Sequence, residues 1–221
     1  METEVKLAFR DRQSLYEAAC SEWFAAHCTG NKSAPVTLEN IYLDTKDRVL
    51  YSRGAVFRKR HYIGEGIDSY EFTVKCELDV KGGISNRYEW NVKSGCGVIT
   101  TEEFKDEAAK SGDDPKILDQ VLSGIDIPEL APLCSNSFER TVYDFAYGTS
   151  TMEACTDYGE IKDPEGLTCE MICEMELELR QGNLSDLEDA RAFILSKTEA
   201  EPFNIGKFQR TLKASRAGGA L

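Results

Sequence analysis

The chain has 221 residues, with 26 Lys+Arg against 39 Asp+Glu and a formal net charge of -13. An acid excess of this size speaks against a general surface that grips nucleic acid or an anionic membrane, while leaving room for a small polyanion held at inward positions. Hydrophobic residues at 41% and charged residues at 29% are those of an ordinary globular chain, and no run approaches the roughly 20 apolar residues of a membrane helix.

Glu2 to Phe9 alternates charged and apolar residues, the period of a half-buried strand. Leu15 to His27, rich in Ala and Leu at three-to-four spacing, reads as a helix. After Gly30 and Pro35 the pattern turns to strands: Thr37 to Leu43, Ala55 to Tyr62, Ser69 to Glu77 and Arg87 to Val92, separated by turn signals such as Gly64-Glu65-Gly66. Two short helices follow, at Glu102 to Lys110 and Pro115 to Leu122. Strands resume at Ser137 to Phe145, Thr151 to Tyr158 and Cys169 to Arg180. A capping box at Ser185 to Glu188 opens a helix to about Lys197, and a short segment at Lys207 to Lys213 closes the pattern. With no internal repeat or low-complexity linker, one domain over residues 1–221 is expected, with a helical insert at about 101–124 and a C-terminal helical segment from about 185.

The first nine residues lack the basic and apolar regions of a signal peptide, so a cytoplasmic location is expected. The eight cysteines then read as reduced thiols rather than a disulfide framework. No CxxC pair is present and the histidines are His27 and His61, which disfavours zinc; phosphate-binding loops of the GxGxxG or GKS/GKT type are absent.

The strands place charge repeatedly on one face, because residues at i, i+2 and i+4 point the same way. Glu2, Glu4 and Lys6 share a face, as do Arg58 and Arg60; Glu71, Thr73 and Lys75; Arg87, Glu89 and Asn91; Glu153 and Asp157; and Glu174, Glu176 and Glu178. Any one such face can be solvated. Turned inward together, they would line a hydrated, charged channel whose apolar exterior needs helices to cover it. Clustered carboxylates raise each other's pKa unless a cation intervenes, and Mg2+ or Mn2+ suits oxygen ligands. Arg and Lys fit phosphoryl oxygens. The pattern therefore suggests metal-assisted chemistry on a phosphate chain.

Glu2-Thr3-Glu4-Val5-Lys6 resembles the N-terminal signature of the CYTH superfamily, the triphosphate tunnel metalloenzymes. Alone it is a weak motif. The ordered set is specific: Asn40 to Thr45, Phe57 to Arg60, Phe72 to Lys75, Arg87 to Val92, Phe138 to Arg140, Asp157 to Glu160 and Ile172 to Leu179. The resemblance runs from residue 2 to about 213 and is nearest the bacterial inorganic triphosphatase branch, without the CHAD domain some members carry.

The resemblance implies an α+β, mainly β fold: a closed eight-stranded antiparallel β-barrel, the triphosphate tunnel, with helices packed on the outside. It implies hydrolysis of inorganic triphosphate to pyrophosphate and phosphate with Mg2+ or Mn2+. Carried over by position, Glu2, Glu4, Lys6 and Glu176 would be catalytic; Lys6, Arg58, Arg60, Lys75, Arg87, Arg140 and Lys207 would hold the phosphates, with Arg210 in support; and Glu2, Glu4, Glu174, Glu176, Glu178 and Asp157 would face the metal. Glu89 and Glu153 match acidic tunnel positions. The expected partner is a small-molecule triphosphate, with no nucleic acid and no membrane, in a monomer or homodimer. Thiamine or nucleoside triphosphatase, CYTH-type adenylate cyclase and a non-catalytic polyphosphate-binding module stand as alternatives.

Overall fold

The structure, a computed structural model, describes residues 2–30, 32–81, 84–111, 114–163 and 165–217; the side chains of 2, 77–81, 84–87, 111 and 216–217 are outside the description. Its strands are β1 (Glu2–Ala8), β2 (Val36–Asp44), β3 (Ala55–Gly64), β4 (Ile67–Lys81), β5 (Ile84–Ser94), β6 (Ala131–Tyr147), β7 (Ser150–Lys162), β8 (Thr168–Gln181) and β9 (Glu201–Pro202). The helices are α1 (Arg12–Ala19), α2 (Glu22–Ala25), α3 (Val49–Ser52), α4 (Thr101–Ala108), α5 (Pro115–Val121), α6 (Leu184–Lys197) and α7 (Lys207–Ala217).

The expectation of a closed eight-stranded barrel needs correction. Among the described residues the sheet has nine antiparallel strands in the order β5-β4-β3-β2-β6-β7-β8-β1-β9, with an isolated bridge between Cys28 and Phe145. The free edge of seven-residue β1 is shared: Glu2 to Val5 pair with β5, and Leu7 and Ala8 pair with the two-residue β9. Among the described residues the β1–β5 contact extends over four residue pairs, from Glu2–Arg87 to Val5–Ile84, where β5 begins.

The sheet turns its apolar faces toward helices. On one side Val5, Leu7, Met175, Leu177 and Phe145 pack under α1, α2 and α6 through Leu15, Phe24, Leu187 and Ile194. On the other, Phe57, Val74, Trp90 and Val92 pack under the insert through Phe104, Ala108, Leu118 and Val121. Each such buried side chain contributes roughly 1.5–3 kcal/mol relative to exposure, which is why strands with strict alternation need these helices.

Several helix starts follow side-chain caps. Thr100 and Glu103 form a capping box on α4, and Asp114 precedes Pro115 at the start of α5. The α6 cap differs from the sequence reading: Asn183, not Ser185, accepts the Asp186 N–H, starting the helix one residue before Ser185. The predicted helix over residues 15–27 is two helices, because Ser21 caps a second start.

The last helix also departs from expectation, since α7 lies on the polar side of the sheet. Its Ala214 joins Leu38, Phe138, Ile161 and Ile172, and strand alternation puts those residues on the faces of Asn40, Arg140, Asp157 and Glu174. Helices on the outside thus describes α1, α2 and α4 to α6 but not α7, whose Lys207, Arg210 and Thr211 are buried.

Candidate functional site

The strand registers bring the inward residues together as rows. Tyr42, Arg58, Thr73 and Asn91 form one row across β2, β3, β4 and β5, and Lys75 sits opposite Glu89. Arg140, Asp157 and Glu174 form another across β6, β7 and β8. Lys6 and Cys155 flank Glu176, and Glu4 and Glu153 flank Glu178. Most residues of these rows line a cavity of about 460 Å³ bounded by seven cationic and six carboxylate side chains among the described residues. The chain's acid excess is therefore not repeated inside.

One part of the cavity is rich in guanidinium. Arg58 Nη2 donates to Glu71 Oε1 at 3.1 Å and to Thr73 Oγ1 at 2.9 Å, yet among the described residues its buried Nε has no hydrogen-bond partner. Arg60 Nε donates to Asn40 Oδ1 at 2.8 Å, and among the described residues no carboxylate lies within 4 Å of its guanidinium. Burial, and then the charges of Arg58 and Arg140, lowers the Arg60 pKa from its ordinary value. A buried donor left unpaired and a surplus of like charge are both relieved by an anion.

A second part is charge-matched. Asp157, Glu174 and Glu176 offer oxygens all within 4.8 Å of one another, but Lys207 Nζ lies 2.8 Å from both Asp157 Oδ2 and Glu176 Oε1 and also pairs with Glu174. Arg140 adds a fork, Nε to Asp157 Oδ1 at 2.7 Å and Nη2 to Glu176 Oε2 at 2.6 Å. Arg210 holds Glu174 Oε2 at 2.8 Å and Glu170 Oε1 at 2.6 Å. Burial works to raise the Glu176 carboxyl, but Lys207, Arg140 and Lys6 together hold it well below the usual carboxylate range. Burial likewise opposes the Lys207 ammonium, which Asp157, Glu174 and Glu176 keep above its ordinary value.

The third part is the row Glu4–Glu178–Glu153, three carboxylates at one register level, where like charges facing each other are unfavourable. Arg180 bridges two of them, at 2.6 Å from Glu178 Oε1 and 2.7 Å from Glu153 Oε2. Burial pushes the Glu178 carboxyl up to about 7; Arg180 opposes that, and Glu153, Glu4 and Glu89 reinforce it. Lys6 pairs with Glu4, so three carboxylates meet two cations in this row, whereas Lys207, Arg140 and Arg210 all bind the triad. Oxygen donors with an excess of negative charge are the donor set a hard divalent cation takes, and the row fits such a metal better than the triad.

Of the residues singled out in the sequence, Glu4, Lys6, Arg58, Arg60, Lys75, Glu89, Arg140, Glu153, Glu176, Glu178 and Lys207 line the cavity. Asp157 and Glu174 lie behind that lining, fully buried against Lys207. Glu2 and Arg87 are paired in register across β1 and β5, and their side chains fall outside the described residues. Glu71, placed by the sequence on the face of Thr73 and Lys75 without a role, also lines the cavity and holds Arg58, whereas the lining charge Arg180 was missed. Arg180 continues the face of Glu174, Glu176 and Glu178, so period-two counting carried one step further finds it. Asp44, inside the Asn40 to Thr45 segment, is structural: it accepts the Leu50 and Tyr51 N–H groups at 2.9 and 3.0 Å and so caps α3. Gly159 in the Asp157 to Glu160 segment is required by close strand approach, since a Cβ there would stand 2.2 Å from the Ser137 carbonyl oxygen.

The family profile described as the CYTH domain matches residues 1–212. Among solved structures, HpAC1 of Hippeastrum, named for adenylyl cyclase and described as having a dominant triphosphatase activity, superposes with a TM-score of 0.67 at 17% identity, covering 100% of this chain and 98% of its own. The PH1819 protein of Pyrococcus horikoshii OT3 gives 0.55 at 15% identity, covering 96% and 99%. A candidate adenylate cyclase of Bacillus halodurans gives 0.53 at 16% identity, covering 95% and 96%. At these identities the likeness is one of fold.

Proposed function

The chain belongs to the CYTH domain family, and on that premise we propose that its cavity binds inorganic triphosphate and hydrolyses it to pyrophosphate and phosphate with Mg2+ or Mn2+, as in the bacterial inorganic triphosphatases. The observation that carries this reading is that, among the described residues, the buried Arg58 Nε has no partner and Arg60 beside it has no carboxylate, in a cavity that also holds Lys6, Lys75, Arg140 and Lys207. Donors left unpaired in a buried site cost stability unless a ligand completes them. A phosphate chain carries oxygens along its whole length, matching cations contributed by β1, β3, β4, β6 and α7.

In this scheme Arg58 and Arg60 hold phosphoryl oxygens at one end, and Lys6, Lys75 and Arg140 neutralise the charge that builds on the oxygens as the bridging P–O bond breaks. Lys207 and Arg140 hold Glu176 in its ionised form, Lys207, Arg140 and Arg210 fix Asp157 and Glu174 in place, and Glu176 presents its carboxylate to the cavity beside Lys6, 3.7 Å away. Glu4, Glu153 and Glu178, with the Glu2 expected beside them, would hold the divalent cation. When bound, it supplies charge neutralisation across neighbouring phosphates. A lining carboxylate, Glu4 or Glu176, orients the water for in-line attack on a terminal phosphorus.

A single domain over residues 1–221, acting in the cytoplasm as a monomer or homodimer on a small molecule rather than on nucleic acid or membrane, completes the reading. No helix among the described residues is long and apolar enough to cross a membrane. Tyr42 and Phe208, with ring centroids 5.0 Å apart, give the cavity an aromatic wall, the observation that favours a triphosphate bearing an organic group as the second reading. Phosphate release should be measured from tripolyphosphate, thiamine triphosphate and ATP with Mg2+, with Mn2+ and with chelator. The proposal expects tripolyphosphate to give the highest kcat/KM and chelator to abolish release. A preference for ATP with a cyclic nucleotide as product, or no release from any triphosphate, overturns it.

A further inference from the structure

The geometry points to a one-way hydrogen-bond relay, Arg60–Asn40–Asn136–Thr211, that positions the Arg60 guanidinium against the C-terminal helix. Four bonds make it. Arg60 Nε donates to Asn40 Oδ1 at 2.8 Å, Asn40 Nδ2 to Asn136 Oδ1 at 3.0 Å, Asn136 Nδ2 to Thr211 Oγ1 at 2.8 Å, and Thr211 Oγ1 to the Lys207 carbonyl oxygen at 2.7 Å.

The direction is set by the chemistry of the two ends. A guanidinium has no acceptor and a backbone carbonyl has no donor, so each amide between them has one orientation that satisfies the chain and one that places donor against donor or acceptor against acceptor. Asn40, Asn136 and Thr211 are 1%, 6% and 0% exposed, so water offers no ready substitute for a lost link. Asn136, Asn40 and Arg60 stand at one register level across β6, β2 and β3, which makes the first half of the relay a product of strand pairing. The second half depends on α7 being docked on the polar face of the sheet. There Thr211 lies one helical turn after Lys207, whose ammonium pairs with Asp157, Glu174 and Glu176.

The consequence is a coupling between two cations that face the cavity from opposite elements. Among the described residues no carboxylate lies within 4 Å of Arg60, unlike Arg58, Lys75, Arg140 and Lys207; Nη1 reaches the Tyr62 hydroxyl at 3.4 Å, and the amide row fixes the Nε edge. Asn40, Asn136 and Thr211 are positioning residues: they touch neither end of the cavity's ligand space but aim the Arg60 fork. This rests on the triphosphatase reading for its effect on turnover; the relay itself does not.

The test is Thr211→Val, which keeps the shape and removes the hydroxyl, with Thr211→Ser as the conservative control. In the wild-type protein the Arg60 Nε–H should be an exchange-protected NMR resonance; finding it unprotected overturns the relay without any variant. Thr211→Val should lose that protection and lower kcat/KM for tripolyphosphate about tenfold, and Thr211→Ser should restore both to within about twofold of wild type. In an Arg60→Lys background the further effect of Thr211→Val should disappear, because a lysine has no Nε–H to aim. Retention of protection in Thr211→Val, or full additivity with Arg60→Lys, overturns the proposal. If the wild-type protein releases no phosphate from any triphosphate, the functional reading fails while the NMR comparison still decides the relay.

Discussion

Glu71 holds Arg58 through a single guanidinium nitrogen, Nη2 at 3.1 Å, and among the described residues the buried Nε on the same edge has no partner. A structural ion pair of arginine and carboxylate commonly uses two nitrogens in parallel. Here Glu71 takes only Nη2 and leaves Nε beside it unpaired, the arrangement expected of an arginine anchored from behind to receive an anion. Arg58→Lys, which keeps the charge but loses the fork, should reduce kcat/KM for tripolyphosphate by roughly 10- to 100-fold. Glu71→Gln should give a smaller loss of roughly threefold, since a neutral oxygen still accepts from Nη2. Equal activity of Arg58→Lys and wild type in a phosphate-release assay would remove Arg58 from the binding set.

Glu176 is tied to Lys6, Arg140 and Lys207 at once. Glu176→Gln keeps the shape and removes the charge that these three cations share. Metal-dependent turnover should fall by at least about 100-fold, and Glu4→Gln should do the same, with far-UV circular dichroism unchanged in both. Near-normal turnover in both variants would refute this pair of assignments.

Thiol reactivity should divide by environment as pH rises. Cys96 is exposed, and hydrogen bonds from Ser94 and from the Val98 backbone lower its pKa, with burial and Glu103 opposing. Burial raises the Cys155 thiol, and pushes Cys173 up to about 11. A lowered pKa means a larger thiolate fraction at a given pH. Iodoacetamide titrations read by mass spectrometry between pH 6 and 9, on the order of the ordinary thiol range, should therefore label Cys96 well before Cys155 and Cys173. Early labelling of Cys155 would mean that the cavity wall opens in solution.

Phe104 ties the helical insert to the sheet: it is fully buried and its ring lies 5.6 Å from that of Phe57. Phe104→Ala should cost about 3–5 kcal/mol in urea unfolding through lost burial and the cavity left behind. A cost below about 1 kcal/mol would show that α4 contributes little to the fold's stability.

The amino-acid sequence by itself determined the alternation of the strands, the need for covering helices and the set of inward charges, because a period of two is a local property of the chain. Within single strands it put Arg58 with Arg60, Glu71 with Lys75, and Glu174 with Glu176 and Glu178 on shared faces, and the ordered motifs carried the family. Only the tertiary structure decided which charges neutralise each other. Whether Lys207 meets a phosphate or the Asp157–Glu174–Glu176 triad depends on where α7 docks, and no local pattern encodes that. The same holds for the ninth strand, which exists because Glu201 and Pro202 happen to reach the edge that β5 leaves to β1, and for the Asn136–Thr211 contact, made across 75 residues of sequence. Periodicity orders neighbours along a strand; the long-range register and the docking of a terminal helix arise from packing between segments far apart in the chain, where hydrogen bonds and burial set the outcome together.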